Sequence, residues 1–268
     1  VPMDQPTWAE GVDLSRPSPA RVYDYLLGGR HNFASDRALA EQMLAVEPDA
    51  RRWAAANRSF LGRAVEHLLD AGVRQFIDLG AGIPTVGNVH DIALGATSDA
   101  RVVYVDVDKV AVTHSRHLVS DVSDRVGVVQ ADLRRPEAVL GDPVTQRLID
   151  FRRPVGILMV AVLHFVPDSD DPRGVLAVYR DAVPPGSGLV ISHMTHPAEM
   201  TEDVERTVKT YSSSAAPLTF RSKSEIEELF TGWWLTDPGV VGVLQWHPSS
   251  PGSVGPDIPG LVGVATKL

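Results

Sequence analysis

The chain contains no cysteine. That removes disulfides, thiolate nucleophiles and cysteine-based metal sites together. It also lacks any apolar run near the roughly 20 residues that span a bilayer. Positive charge is scarce, with 25 Lys and Arg against 34 Asp and Glu and a formal net charge of −9. The pairs Arg51-Arg52, Arg134-Arg135 and Arg152-Arg153 stand isolated among acids. No basic stripe is available to follow a phosphate backbone, so nucleic acid is not an expected partner. The opening residues, VPMDQPTWAEGVD, lack a basic region followed by an apolar one, and the expected location is cytoplasmic. Only four of the 25 basic residues are lysine, a skew typical of GC-rich bacterial coding sequence.

What is present is an ordinary globular composition, 44% hydrophobic over 268 residues. The most informative segment is Phe76-Ile77-Asp78-Leu79-Gly80-Ala81-Gly82-Ile83-Pro84-Thr85. An apolar β-type run feeds a Gly-x-Gly turn, and a helix is expected from Pro84 or Thr85. Strand, glycine turn and helix present backbone N–H groups to a nucleotide-like ligand. Gly-x-Gly alone does not say which ligand.

Before this segment the pattern is helical. Residues 1–17 read as an extended arm. Ser18-Pro19 opens a helix that Gly28-Gly29 stops, Ser35 caps a second, and a third runs from about Asp49 to Asp70. After Val73, strands expected at 74–79, 101–106, 126–131, 155–160 and 188–193 alternate with helices near 85–95, 109–119 and 172–183. That alternation implies a doubly wound α/β sheet. A polar helix follows at about 199–213, then a capping box at Ser222 and Glu225. Two further strands are expected in 233–247 and 261–268. Residues 1–72 thus read as a helical arm or lid, and 73–268 as the α/β domain, forming one structural unit.

The ligand is narrowed by what surrounds the turn. A dinucleotide fingerprint requires a third glycine where this chain has Thr85, and no phosphate-loop Lys-Ser/Thr exists. Instead, acids end the next two strands: Asp106 after Val102-Val103-Tyr104-Val105, and Asp132 in Ala131-Asp132-Leu133. Asp106 can accept both ribose hydroxyls. Asp132 can accept an exocyclic amine, while the Leu133 N–H donates to a ring nitrogen. The implied ligand is an adenosine whose 5′ substituent lies over Gly80–Gly82.

Through Asp78-Leu79-Gly80-Ala81-Gly82, Asp106, Asp132-Leu133 and Ala161-Val162-Leu163-His164-Phe165, the chain resembles the Rossmann-like S-adenosylmethionine-dependent methyltransferases. Residues 19–33, Asn57-Arg58-Ser59-Phe60-Leu61, Asn88-Val89-His90 and the 102–106 strand further resemble one bacterial methyltransferase family, formerly catalogued as a domain of unknown function. The resemblance implies a mostly parallel seven-stranded sheet with its last strand antiparallel. It also implies S-adenosyl-L-methionine as cofactor, with S-adenosyl-L-homocysteine as product. Cofactor contacts are expected from Asp78, Gly80, Ala81, Gly82, Asp106, Val107, Asp132, Leu133 and Ala161. Tyr23, Tyr25, Arg30, His31, Asn32 and Arg58 are candidates for the cofactor or substrate pocket. Alternatives are a cofactor-binding protein without turnover and an NAD(P)-dependent oxidoreductase.

His164, just past the fourth strand, is either a general base or a packing residue. Asp168, Asp170 and Asp171 precede a helix, where acids are expected anyway, so no metal is assigned. Amino-group methylation of adenine or glutamine commonly uses Asn/Asp-Pro-Pro-aromatic where this chain has Leu163-His164-Phe165-Val166-Pro167. Cytosine C5 methylation requires a cysteine. A small-molecule acceptor remains, handled by a monomer or homodimer.

Overall fold

Eight strands form one sheet in a computed structural model of the chain, which describes residues 13–84, 87–197, 200–248 and 258–268. The strands are β1 Gln75–Leu79, β2 Arg101–Asp106, β3 Val126–Gln130, β4 Val155–Val160, β5 Gly188–His193, β6 Trp234–Leu235, β7 Val241–Gly242 and β8 Leu261–Thr266. Their order is β3-β2-β1-β4-β5-β8-β6, with β7 also pairing to β8. The first five are parallel and β8 runs antiparallel to β5. β1, β4 and β5 are buried along their whole length, which explains their continuous apolar runs.

The helices are α1 Pro19–Leu26, α2 Ala34–Val46, α3 Ala50–Asp70, α4 Val89–Ala96, α5 Lys109–Leu118, α6 Pro136–Leu140, α7 Pro143–Leu148, α8 Pro172–Ala182, α9 Glu202–Ser214 and α10 Lys223–Glu228. Asp108 caps α5 through the Val110 and Ala111 N–H groups, and Asp171 caps α8 through Gly174. The Ser222–Glu225 capping box opens α10 as expected.

α3 is the long element under the site. Phe60, Leu61, Ala64, Val65 and Leu68 are buried on one stripe. Burying each of the larger ones contributes about 1.5–3 kcal/mol. The same hydrophobic cluster holds Val22 and Leu26 of α1, Trp53 of α3, Val160 and Val190 of the sheet, and Val262 of β8. The N-terminal helices and the sheet therefore share one core.

Four expectations are corrected. The helix after the glycine turn begins at Val89, capped by Asn88, and not at Pro84 or Thr85. The span 233–247 forms two two-residue strands instead of one. β6 and β7 pair with opposite ends of β8, so eight strands fill seven positions across the sheet. Two short helices, α6 and α7, occupy the β3–β4 connection, where none was expected. At α2 the N-cap is Phe33, with Asp36 reaching back to its N–H, while Ser35 donates its hydroxyl to the Leu14 carbonyl. Residues 1–12 of the expected arm, Thr85, and 249–257 of the C-terminal loop lie outside the described residues. Among the described residues no helix is long and apolar enough to cross a membrane.

Candidate active site

β1 delivers Asp78 and the turn that follows it. Gly80 has φ +72° and Gly82 φ +67°, the left-handed region that glycine enters without a Cβ penalty. A Cβ on Gly80 would also collide with Val162, so this turn is pressed against the segment leaving β4. The Gly80 and Ala81 N–H groups donate to the Val105 carbonyl, at 2.8 and 3.1 Å. The Gly82 N–H donates to Asp106 Oδ2 at 2.7 Å. The other oxygen, Oδ1, accepts the Asp108 N–H at 2.8 Å. Asp106 thus locks the glycine turn to the tip of β2.

A cavity of about 410 Å³ opens over these strand tips. Of the expected residues it brings together Tyr23, Arg58, Asp78, Gly80, Ala81, Gly82, Asp106, Val107, Asp132, Leu133, Ala161 and His164. Ala161 has φ +56°, an uncommon conformation for a side-chain-bearing residue. It is held by its N–H donating to the Ser192 hydroxyl at 2.8 Å, and it turns the chain sharply as it leaves β4.

The remaining expected pocket residues do not line this cavity. Tyr25 donates its hydroxyl to Glu41, and Arg51 lies over its ring. Asn32 is buried, donating to Asp24 and to the Gly29 carbonyl. His31 donates its backbone N–H to Asp24 and packs at a tilt against His114 with ring centroids 3.8 Å apart. Arg30 is exposed. The polar Gly28–Phe33 corner is therefore organised around the buried Asp24 carboxylate and faces away from the cavity.

The charged groups at the strand tips are strongly perturbed. Burial pushes Asp78 up to about 7, with Arg58 opposing and Asp106 adding to the rise. Burial likewise raises Asp106 to about 6, although the Asp108 and Gly82 N–H groups pull it down. Asp132 moves the other way because Arg134 hydrogen-bonds to it. Oδ1 takes the Arg134 backbone N–H and Nε, and Oδ2 takes Nε and Nη2, at 2.6 to 3.0 Å. The acceptor capacity expected to meet an exocyclic amine is thus already engaged by Arg134.

His164 is 2% exposed. Burial, with His193 and Arg221 nearby, holds its pKa well below the usual value, so the ring is neutral. Its Nδ1 is buried without a hydrogen-bond partner. His193 Nε2 must accept from Arg221 Nη1 at 2.8 Å, so its Nδ1 carries the proton donated to the Met194 carbonyl at 2.7 Å. Arg221, almost fully buried, also donates to the carbonyls of Leu163 and Val166 and to Asp168. One guanidinium thus pins the whole loop after β4. Asp168 pairs with Arg221, Asp170 with Arg134, and Asp171 caps α8. No metal-binding cluster exists among the described residues.

Sequence reasoning missed one entire wall. Met194 just past β5, Val204, Val208 and Tyr211 of α9, and Leu218 and Phe220 after it line the cavity. The signal was present in the spacing of Val204, Val208 and Tyr211, a single apolar stripe on an otherwise polar helix. The same holds for Ala50, Trp53, Asn57 and Leu61, successive turns of α3 on one face. Asn57 is fixed by its neighbours. The Tyr23 hydroxyl donates its one proton to the Ala54 carbonyl at 3.1 Å and so must accept from Asn57 Nδ2 at 2.9 Å. That leaves Asn57, a residue of the cavity lining, with Oδ1 buried and without a partner.

A parallel sheet with an antiparallel strand near one edge, a glycine turn after β1 and an acid at the tip of β2 define a methyltransferase-like fold. The chain belongs to the S-adenosyl methyltransferase family, which it matches over residues 5–267. The cofactor of this family is S-adenosylmethionine. A solved structure of a proposed methyltransferase from Thermobifida fusca is 38% identical, with 96% of this chain and 97% of that chain covered and a TM-score of 0.89. A DUF574 family protein from Streptomyces avermitilis is 36% identical over 96% of this chain and 99% of that one, with a TM-score of 0.88. The 1,6-didemethyltoxoflavin-N1-methyltransferase of Burkholderia thailandensis shares the fold at 20% identity and a TM-score of 0.50, covering 86% and 88% of the two chains. Among curated proteins none matches this chain.

Proposed function

We propose that this protein transfers the methyl group of S-adenosylmethionine to a small-molecule acceptor held in the same cavity. The observation that carries the reading is Asp106. Each carboxylate oxygen accepts one backbone N–H and keeps a second lone pair, enough for the two hydroxyls of a ribose.

The remaining lining fits the rest of the cofactor. The Leu133 N–H is assigned to a ring nitrogen of the adenine, with Asp132 and Arg134 closing that end as an ion pair. Asp78 and the partnerless Asn57 Oδ1 supply acceptors for an ammonium group. Arg58, whose charge reaches Asp78, supplies the cation for a carboxylate. Gly80 and Gly82 let the backbone approach without a Cβ in the way. When bound, the cofactor supplies an electrophilic methyl group on a sulfonium. The faces of Tyr23 and Trp53 suit that cation. The chain's own contribution is positional, holding the acceptor in line with the methyl group and excluding water from the site. His164, neutral and buried, is a poor proton acceptor, so the reading assigns no general base to it.

We further infer that residues 1–72 serve as the lid of one structural unit whose sheet domain is 73–268. Support comes from the core that α1 and α3 share with the sheet.

The test is calorimetric titration of S-adenosylmethionine, S-adenosylhomocysteine, NAD and NADP. Micromolar binding of the two sulfur ligands and none of the nicotinamides is expected, with loss of binding in Asp106→Ala. No heat with either sulfur ligand at millimolar concentration would overturn the reading. Acceptor-dependent release of S-adenosylhomocysteine then separates an enzyme from a binding protein.

A further inference from the structure

The cavity wall divides by chemistry. At the strand tips lie Asp78, Asp106, Asp132 and the only two cations of the described lining, Arg58 and Arg134. The opposite half is apolar, built from Trp53, Phe165, Met194, Val208, Tyr211 and Phe220. Its only charges are the carboxyls of Glu47 and Asp49 at the α2–α3 junction. Burial raises the pKa of Glu47, although the Asp49 backbone N–H opposes the rise. An anionic ligand in this half would meet two acids and no base.

Rings run continuously around it. Tyr23 meets Trp53 edge-on at 6.2 Å, Trp53 meets His164 at 6.4 Å, His164 meets Phe165 at 4.3 Å, and Phe165 stacks on Tyr211 at 5.9 Å. Four separate elements contribute to this belt. Aromatic faces and edges favour a flat π-system over an aliphatic chain. Within the belt His164 adds a neutral polar ring. Neither of its nitrogens bonds to protein, and Nδ1 is sealed from solvent.

Resting on the methyltransferase reading, we propose that the acceptor is an aromatic amine or nitrogen heterocycle without a carboxylate or phosphate, and that His164 is the neutral hydrogen-bond partner that aims its nitrogen. A nitrogen lone pair needs no prior deprotonation, and this half holds no histidine fit to be a base. In the transfer the lone pair forms the N–C bond as the C–S bond breaks, and the bonding pair returns to sulfur. The positive charge passes to nitrogen, which then loses an N–H proton to water at the cavity mouth, or keeps the charge if it had none to lose.

The test is binding to the protein saturated with S-adenosylhomocysteine, repeated on the cofactor-free protein. The probes are 6-aminoquinoline, 6-hydroxyquinoline, 6-methylquinoline, quinoline-6-carboxylate and cyclohexylamine. Aminoquinoline should bind at least about tenfold tighter than the carboxylate and than cyclohexylamine, and tighter than the phenol. His164→Leu should erase the amine's advantage over 6-methylquinoline while leaving S-adenosylhomocysteine affinity unchanged. His164→Gln, which keeps a hydrogen-bonding group, should restore much of it. The proposal is overturned if the carboxylate or cyclohexylamine binds as well as the amine, if no quinoline binds at millimolar concentration, or if His164→Leu leaves the preference intact. Absence of S-adenosylhomocysteine binding would instead strike the methyltransferase reading, and the cofactor-free titrations would still decide the acceptor class.

Discussion

Asn57 and Tyr23 are locked to each other in one orientation. The tyrosine hydroxyl spends its proton on the Ala54 carbonyl, so Asn57 must offer Nδ2 to the tyrosine, which leaves Oδ1 buried without a partner. A buried acceptor left unpaired costs about 1–3 kcal/mol, which a ligand donor returns on binding. Tyr23→Phe removes the lock, leaves Nδ2 without an acceptor and frees the amide to rotate. Stability should fall by about 1 kcal/mol and S-adenosylhomocysteine affinity by roughly fivefold. Denaturant unfolding and calorimetry measure the two separately. Unchanged affinity would remove Asn57 from the cofactor site.

Asp78 gives the molecule a pH dependence of known sign. Its pKa rises from 3.8 in the unfolded chain to about 7 in the folded one, so the native state holds the proton more tightly. Stability is greatest below the unfolded value and falls as pH climbs from about 4 to about 7, by on the order of 4 kcal/mol. Asp78→Asn should flatten this slope and make the cofactor-free protein more stable at pH 8. The ligand dependence runs the other way. An ammonium group favours the ionised carboxylate, so S-adenosylhomocysteine should bind more tightly at pH 8 than at pH 6 in the wild type, with protons released on binding. Calorimetry in buffers of different ionisation enthalpy reads that release directly.

The two strand-tip acids should differ in weight. Asp106 keeps free lone pairs beside the glycine turn, whereas Asp132 has both oxygens engaged by Arg134. Asp106→Asn should cost about 100-fold in S-adenosylhomocysteine affinity and Asp132→Asn about tenfold or less. Equal losses would show that a ligand displaces Arg134 from Asp132.

Arg221 is a structural prediction. Its removal leaves the Val166 carbonyl and His193 Nε2 without the guanidinium donor and takes one of two donors from the Leu163 carbonyl. Arg221→Met should lower unfolding free energy by about 3 kcal/mol or more. It should also raise amide exchange across 163–168 ahead of the sheet.

The sheet was legible because five of its strands are short apolar runs closed by turn residues, and each was located to within one residue. The strand-tip acids were legible for the same reason, since a strand's end is marked by the first polar residue after the run. The corner at Arg30, His31 and Asn32 misled because polar residues after a double glycine read as a ligand-facing loop. The burial of Asp24, which draws in the His31 backbone and the Asn32 side chain, has no one-dimensional signature. Arg134 was seen only as half of a basic pair. Its fold-back onto Asp132 depends on a tight turn that composition does not encode. The far wall was missed because α9 is mostly polar, and three apolar residues on one stripe were outweighed by the rest.

α3 carries Trp53 at the acceptor half, Asn57 and Arg58 toward the strand tips, and Leu68 in the core shared with the sheet. A helix transmits rotation rigidly along its length, about 100° for each residue inserted. The seats of both ligands are therefore fixed by one registration. A substitution that tilts α3 to widen one seat must move the other, so acceptor range should be altered from α9 and 215–220, the side of the cavity that α3 does not set.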